Sequence, residues 1–333
     1  MPAASARRNP LPPALTRSSL TGSIKETLLA GGWYRRRLER DRFPGVAVLC
    51  YHAVRTDDEP GGQLPFEKLH VRAAELEAHC RLIRDTCNPL SLDDWRAVHA
   101  GKRVLPDRPV LLTFDDGYSS VFSRARPILE RNRVPAVVFV CSAPIATRSA
   151  FWYDAMAQSE GESAVEAVKR ASPDRWRAAI AQYSRPTPRP ASPMRTIATT
   201  IDLSTLAPMT PDELGLLAGH ELFEIGSHTA NHPILASLPR NQQREEIVTS
   251  RAAIAEWTGR PVRAFAYPNG QPGIDYNSET VSILTEVGFD FGFTTRYRFA
   301  HSSEAPLERS RFLMLSGVSA AELAHRLRYS WRT

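Results

Sequence analysis

Two histidines and two carboxylates have the types and spacing that metal chemistry requires. His228 and His232 lie four residues apart in IGSHTANHP, a spacing that puts two imidazoles on one face of a helical turn. Asp115 and Asp116 follow an apolar run and precede a glycine in LLTFDDG. Either pair alone is compatible with an ordinary exposed turn. Together, one aspartate and two histidines make three protein ligands with open coordination positions, the composition of a catalytic zinc-type site.

The second carboxylate of the Asp115–Asp116 pair then has a use of its own. Adjacent like charges are unfavourable unless a positive charge lies beside them, and a divalent cation would supply that charge. If one carboxylate binds the metal, the other is free to act as general base toward a water molecule. The four residues therefore predict a metal-dependent hydrolytic site.

The elements that must position these residues alternate between strands and helices. Apolar runs predict strands, and helical periodicity predicts helices between them. The predicted strands are 45–52, 108–117, 134–141, 222–228, 261–268, 289–295 and 311–317, and the clearest helices are 71–86, 240–259, 278–288 and 319–330. Alternation of this kind is typical of parallel β-α units with both faces of the sheet buried. About seven strands suit a (β/α) barrel or an open doubly wound sheet.

Four of the candidate residues share a position at one end of the predicted strands. His52, Asp115, Asp116 and His228 all fall at the carboxyl ends of predicted strands. Both candidate architectures collect their active sites at that end of the sheet. We therefore expect these side chains to share one cavity.

Three motifs, in this order and spacing, resemble the polysaccharide deacetylase family. They are TFDDG (113–117), SHTANHP (227–233) and FAYPNG (265–270), and LCYHAV (49–54) also looks like the first strand of that family. This is carbohydrate esterase family 4, with the NodB-type homology domain, and the FAYPxG form resembles a branch that includes exopolysaccharide deacetylases. The resemblance covers roughly residues 46–318. It implies a distorted (β/α) barrel and a divalent metal ion, usually zinc.

The resemblance also implies a reaction and a role for each motif residue. Asp115 would be the general base, and the metal ligands would be Asp116, His228 and His232. The implied reaction removes N-acetyl groups from N-acetylhexosamine units of a polysaccharide or glycan precursor, leaving acetate and an amino sugar.

The third motif is implied to face the reacting acetyl group. Its Tyr267–Pro268 segment would contact the substrate, and the backbone N–H of Tyr267 or of a neighbour would stabilise the oxyanion. Many members carry an arginine here that contacts the catalytic aspartate, but Ala266 occupies the aligned position. Arg263 points to the opposite face of the predicted strand, so the sequence leaves open what orients Asp115.

The general acid is the second departure from the family pattern. The family has a histidine on its last strand, and RFLMLSG contains none. His52, at the end of the first strand, is the preferred substitute. The alternative is that His52 orients a carboxylate without donating a proton itself.

Other activities stay open at this point. The same barrel could serve an O-deacetylase or an amidase acting on a non-sugar substrate, and a missing acid mildly favours ester cleavage. A barrel that only binds a glycan is the third alternative, but the intact carboxylate and histidine pairs argue against it.

The chain divides into a tail, a barrel and a closing helix. We predict a basic, flexible tail over 1–44, a barrel over 45–318 with an insertion over 145–210, and a C-terminal helix over 319–333. The insertion contains the Pro-rich SRPTPRPASPM and is either a lid over the substrate or a surface excursion.

Charge distribution bears on the partners. Residues 1–45 carry nine Lys or Arg against three Asp or Glu, and the rest of the chain is balanced. A nucleic-acid surface on the folded part is therefore not indicated. WYRRRLER in the tail could contact an anionic membrane surface or could simply be solvated.

Cysteine usage and apolar runs bear on location. The four cysteines form no Cys-x-x-Cys motif and are expected to be buried, reduced thiols. No signal-peptide or membrane-spanning run is apparent. We expect a cytoplasmic protein, which could act at the inner face of the membrane.

Overall fold

The computed structural model describes residues 21–59, 61–62, 64–184 and 203–330. Nearly all of the Pro-rich SRPTPRPASPM stretch lies outside the described residues. Within them, the predicted alternation of strands and helices is confirmed, with most elements shorter by one to several residues at their ends.

Seven parallel strands curl into a distorted (β/α) barrel, as expected. Their order around the sheet is β10-β1-β5-β6-β7-β8-β9, with β4 paired to β5 outside this path. The strands are β1 Ala47–Tyr51, β2 Val54–Arg55, β3 Val71–Arg72, β4 Asn88–Pro89, β5 Pro109–Phe114, β6 Ala136–Val140, β7 Phe223–Ser227, β8 Ala264–Ala266, β9 Phe291–Phe293 and β10 Phe312–Leu313. Strands β2 and β3 form a separate two-stranded sheet.

The barrel closes through the segment that precedes β10. Arg309 forms a parallel bridge with Phe293 of β9. The Arg309 N–H donates to the Gly292 carbonyl at 2.7 Å, and the Arg309 carbonyl accepts from the Thr294 N–H at 2.8 Å. Because β10 itself pairs with β1, this short segment joins the two ends of the sheet.

Helices surround the sheet. They are α1 Gly22–Ala30, α2 Trp33–Leu38, α3 Ala73–Thr86, α4 Leu92–His99, α5 Arg126–Asn132, α6 Ser142–Thr147, α7 Trp152–Glu160, α8 Glu162–Lys169, α9 Pro173–Tyr183, α10 Pro211–Ala218, α11 Arg240–Thr258, α12 Ser278–Val287 and α13 Ala320–Tyr329. The helical segment that contains Pro127 begins as a π-helical turn over Val121–Ala125 and continues as α5. Gly259 and Gly288 end α11 and α12 with left-handed backbones.

Alternate residues of each strand pack into two separate cores. Val48 of β1 and Leu111 of β5 belong to the cluster inside the barrel, whereas Leu49 and Leu112 pack against the surrounding helices. Trp95 of α4 belongs to the inner cluster, with its ring 5.1 Å from that of Phe291. The inside of the barrel is therefore a packed core. The Trp95 ring covers this core at one end of the barrel, and the other end is open.

The segment 1–44 was predicted to be a flexible tail, but residues 22–38 of it contain helices α1 and α2. Both helices pack against α13. The Lys25 ammonium lies 2.5 Å from the Glu322 carboxylate, and the Tyr34 hydroxyl lies 2.8 Å from His325 Nδ1. The Tyr34 and Leu38 side chains of WYRRRLER are fully buried. Their apolar surface therefore faces the protein and not a membrane.

The structure also bears on the cysteines and on membrane-spanning helices. All four cysteines are free and buried, as predicted. Among the described residues, no helix is both long enough and apolar enough to cross a membrane.

Candidate active site

Loops that follow β5, β7 and β8 bring the three motifs together at the open end of the barrel. These loops contain non-glycine residues with positive φ angles, an unfavourable backbone region that persists where the surroundings hold it. The residues are Asp116 (76°), Thr229 (69°), His232 (60°) and Asn269 (56°). His228 and His232 therefore approach each other through a left-handed loop and not through the helical turn that their spacing predicted.

Asp116, His228 and His232 converge on one point. The Nε2 atoms of both histidines lie 3.6 Å from Asp116 Oδ1. That oxygen is buried and has no hydrogen-bond partner among the described residues. His228 Nδ1 lies 2.7 Å from the Ala266 carbonyl, a contact that requires a proton on Nδ1 and leaves Nε2 as the free lone pair.

This arrangement fits a divalent cation. Burial lowers the pKa of His232 well below its usual value, which keeps the ring neutral as a metal ligand requires. Two imidazole nitrogens and one unpartnered carboxylate oxygen form the donor set of a three-ligand site. The metal ligands stay a prediction, but the residues named for that role are together.

Asp115 is held by an arginine that the sequence reasoning missed. Arg311 donates from Nη1 to Asp115 Oδ1 at 2.7 Å and from Nη2 to Oδ2 at 2.8 Å, a bidentate contact. Arg311 is fully buried, and its Nε donates to the Thr294 carbonyl at 3.0 Å. Although burial favours the neutral acid, the charge and hydrogen bonds of Arg311 hold the pKa of Asp115 well below its usual range. Asp115 is therefore a charged, oriented carboxylate.

Cys50 and His52 lie on the other side of Asp115. The Cys50 thiol donates to Asp115 Oδ2 at 3.4 Å, and burial raises the pKa of that thiol well above its usual value. Ligand atoms of Cys50, His52 and Asp115 all lie within 4.8 Å of one another. Burial lowers the pKa of His52, and its Nδ1 has no hydrogen-bond partner among the described residues. His52 thus faces the cavity beside the base, where either predicted role remains open.

The Tyr267 N–H is not available for an oxyanion. It donates to the Phe293 carbonyl at 3.1 Å, while the Tyr267 ring stacks on Tyr276 with centroids 3.7 Å apart. Pro268 has no N–H to offer. The next backbone donor is that of Asn269, which lines the cavity and forms no hydrogen bond through its N–H among the described residues. The expected donor therefore shifts from Tyr267 to its neighbour.

The motifs line a cavity of about 870 Å³. His52, Asp115, Asp116, His228 and His232 all contribute to its wall. The predicted insertion contributes as well, through Tyr153 of α7 and Glu166, Lys169 and Arg170 in and after α8. A cavity of this size is large enough for a sugar residue and part of its neighbours.

Helices α7 and α8 also support the motif loops directly. The Trp152 indole N–H donates to the Asn231 carbonyl at 2.9 Å, and the Tyr153 ring lies 4.9 Å from that of His232. The Tyr118 hydroxyl donates to Asp154 at 2.8 Å. This part of the insertion is therefore packed into the site, which does not fit a mere surface excursion.

Comparison with known proteins agrees with the three motifs. A sequence model described as polysaccharide deacetylase matches residues 102–292, more than half of the chain. The poly-beta-1,6-N-acetyl-D-glucosamine N-deacetylase of Escherichia coli K12 is 32% identical over 127 residues. That match covers 38% of this chain and 17% of the length of the relative.

Solved structures share the fold. The deacetylase PplD of Streptococcus pyogenes, solved in complex with acetate, superposes with a TM-score of 0.60 at 18% identity, covering 85% of this chain and 98% of the other. IcaB of Ammonifex degensii superposes with a TM-score of 0.58 at 21% identity, covering 85% and 97% of the two chains.

Proposed function

Since this chain belongs to the polysaccharide deacetylase family, we propose that it is a metal-dependent hydrolase that removes N-acetyl groups from N-acetylhexosamine units of a polysaccharide or glycan precursor. The observation that carries the proposal is the pair of neighbouring carboxylates with different surroundings. Asp115 is paired with Arg311, whereas Asp116 Oδ1 has no hydrogen-bond partner among the described residues and faces two histidines. One carboxylate is thus suited to act as a base and the other to bind a cation.

Each residue then has a chemical task. A divalent cation held by Asp116, His228 and His232, with zinc as the expected ion, would polarise the acetyl carbonyl and acidify a water molecule. Asp115 accepts the proton of the attacking water, and Arg311 keeps this carboxylate charged and aimed.

The remaining steps concern the oxyanion and the leaving group. As the water oxygen bonds to the acetyl carbon, negative charge develops on the acetyl oxygen, and we propose the N–H of Asn269, a residue of the cavity wall, as its hydrogen-bond donor. The carbon–nitrogen bond then breaks, and His52 in its protonated form gives a proton to the leaving nitrogen. The products are acetate and a free amino sugar.

Two of the alternative activities can be weighed against the site. The barrel that only binds a glycan would lack both the motif arginine and the general acid, and Arg311 makes the contact to Asp115 that the motif arginine makes in the family. Amide and ester cleavage differ in the protonation that the leaving group requires. Comparison of acetate release from paired N-acetyl and O-acetyl sugars would separate them, and we expect the amide to be the better substrate.

The central test combines metal content with acetate release from N-acetylglucosamine oligomers. We expect purified wild type to hold about one metal ion per chain, and Asp116→Ala, His228→Ala and His232→Ala to lose both metal and activity. His301→Ala is the matched control, because His301 lies exposed in a loop and its side chain forms a hydrogen bond with the nearby Ser303. Metal-loaded wild type that releases no acetate from any N-acetylated glycan would contradict the proposal.

Location is a separate proposal. Four free, buried cysteines are typical of a reducing compartment, and we therefore propose a cytoplasmic site of action. Protease treatment of intact cells tests it, because degradation from outside would contradict it.

A further inference from the structure

We propose that Lys169 is a positioning residue that holds the Asn269 turn, so that the Asn269 N–H meets the acetyl oxygen of the substrate. This inference rests on the proposed deacetylase function and deepens it. It assigns a task to the insertion, which would contribute to turnover by fixing part of the third motif. The contact joins residues 100 positions apart, through the Lys169 ammonium and Asn269 Oδ1 at 3.2 Å.

Thr295, after β9, holds the Asn269 turn on its barrel side. The Asn269 carbonyl accepts from the Thr295 hydroxyl at 2.7 Å, and the Gly270 carbonyl accepts from the Thr295 N–H at 2.9 Å. Within the turn, the Gly270 N–H donates to the Pro268 carbonyl at 2.6 Å. These bonds use the backbone groups around Asn269, whereas the Asn269 N–H itself has no hydrogen-bond partner among the described residues.

The turn needs a further restraint because its conformation is unfavourable. Asn269 has a φ of 56°, a left-handed backbone that asparagine tolerates better than most residues but does not prefer. An oxyanion donor is effective only if it is already in place when charge develops. A hydrogen bond to the asparagine side chain, from outside the barrel, supplies a restraint on the same residue.

Lys169 is suited to provide that restraint. Its side chain is only 10% exposed, and its ammonium lies 5.7 Å from the Phe66 ring centroid and 5.8 Å from that of Tyr153. The Glu166 carboxylate, one helical turn earlier, is 3.5 Å away. Two rings and a carboxylate therefore hold the charge of Lys169 in one place, which makes it a fixed donor toward Asn269.

A double-mutant cycle between the two residues tests this role. Lys169→Met keeps an unbranched side chain between the rings but removes the donor. Asn269→Gly keeps the backbone N–H and the left-handed turn but removes the acceptor. We expect each change to lower kcat about tenfold with KM changed less than about twofold, a fraction of the loss caused by deleting a whole oxyanion donor. The double variant should match the single variants, because both remove one interaction.

Arg177→Met is the control for loss of a positive charge in the insertion. Arg177 lies in α9 with a half-exposed side chain near Asp174, and its substitution should leave both kinetic constants unchanged. Thermal unfolding of each variant shows whether it is folded. If Lys169→Met fails to fold, Asn269→Gly still tests the contact from the barrel side, and wild-type kcat in that variant would overturn the proposal.

Two other outcomes would also overturn it. A rise in KM at constant kcat for Lys169→Met would mean that Lys169 binds the substrate directly. Multiplicative losses in the double variant would mean that the two residues act independently. Failure of the deacetylase function itself is distinguishable, because it would appear as inactive metal-loaded wild type before any variant is compared.

Discussion

The charged groups near Arg96, at one end of the barrel, have different surroundings from those of the cavity at the other end. At the amino ends of the strands, Arg96 of α4 meets three carboxylates. Its guanidinium lies 2.5 Å from Glu224, 3.0 Å from Asp290 and 2.8 Å from Asp93. Arg263 also approaches Asp290, at 3.4 Å. Every charge in this group has an opposite charge beside it.

At the carboxyl ends, buried polar atoms are left without partners. Asp116 Oδ1, His52 Nδ1 and His232 Nδ1 form no hydrogen bond among the described residues. Leaving a buried polar group unsatisfied costs about 1–3 kcal/mol, so several such atoms in one cavity indicate a site prepared for something other than protein. The ion pairs near Arg96 therefore contribute to stability, whereas the unpartnered atoms at the other end lower stability and leave groups available for chemistry.

Asp115→Asn should produce the largest effect on activity. The amide cannot accept a proton from water, so we expect turnover to fall at least about a thousandfold with metal content unchanged. Asp290→Asn is the matched change at the opposite end and should leave turnover near wild type. Steady-state acetate release and metal analysis of both variants provide the measurement. Comparable losses in the two variants would mean that the ends do not differ as argued.

His52→Gln should have the next largest effect. Glutamine keeps a polar side chain in the cavity but cannot supply a proton, so we expect turnover to fall about a hundredfold while metal content stays at the wild-type level. The same variant should lose less activity on an O-acetyl sugar, because an ester leaving group needs less protonation. Loss of metal would instead assign His52 an orienting role beside the ligands.

Substitutions of Arg311 test whether the activity of Asp115 as a base depends on this buried arginine. Arg311→Lys keeps the positive charge but loses the bidentate geometry, and we expect turnover at neutral pH to fall about tenfold. Arg311→Met removes the charge, so burial would raise the pKa of Asp115 and the acid limb of the kcat/KM profile should move to higher pH.

The lowered pKa of Asp115 also determines how the stability of the protein changes with pH. The folded-state pKa of Asp115 lies below its unfolded value, so the stability that the ion pair contributes is present above the unfolded pKa and is lost as pH falls toward the folded one. Arg311→Met should lack that acid-dependent loss. Identical acid limbs in the Lys and Met variants would show that Arg311 does not control the charge of Asp115.

The importance of Arg311 also marks the limit of what the sequence could predict. His52, Asp115, Asp116 and His228 follow apolar runs, so their shared position at strand ends could be predicted from local pattern. Arg311 lies 196 residues from Asp115 and reaches it only because the segment before β10 closes the barrel. The signal in the sequence was an arginine immediately before an apolar strand, where it had no local partner.

Tertiary packing explains the other differences. Helices α1 and α2 are nine and six residues long, too short to be stable alone, and they form against α13 through contacts that no local pattern shows. The family resemblance implies the N–H of Tyr267 or of a neighbour as oxyanion donor, and the Tyr267 N–H is used by the pairing of β8 with β9. Which N–H groups a sheet occupies depends on strand register, which requires the assembled fold.

Arg96→Met should have the smallest effect on activity and a clear effect on stability. The Arg96 side chain is 13% exposed, whereas its partners Glu224 and Asp290 are 24% and 38% exposed, so water can partly replace the lost contacts. We expect the free energy of unfolding to fall by about 1–3 kcal/mol, between the values for exposed and buried pairs. Acetate release per folded molecule should stay unchanged, because Arg96 lies at the end of the barrel away from the cavity. Urea unfolding and kinetics on the same preparation measure both quantities. A loss of turnover without a loss of stability would mean that the two ends are coupled through the barrel core, and the division between a stabilising end and a reactive end would no longer hold.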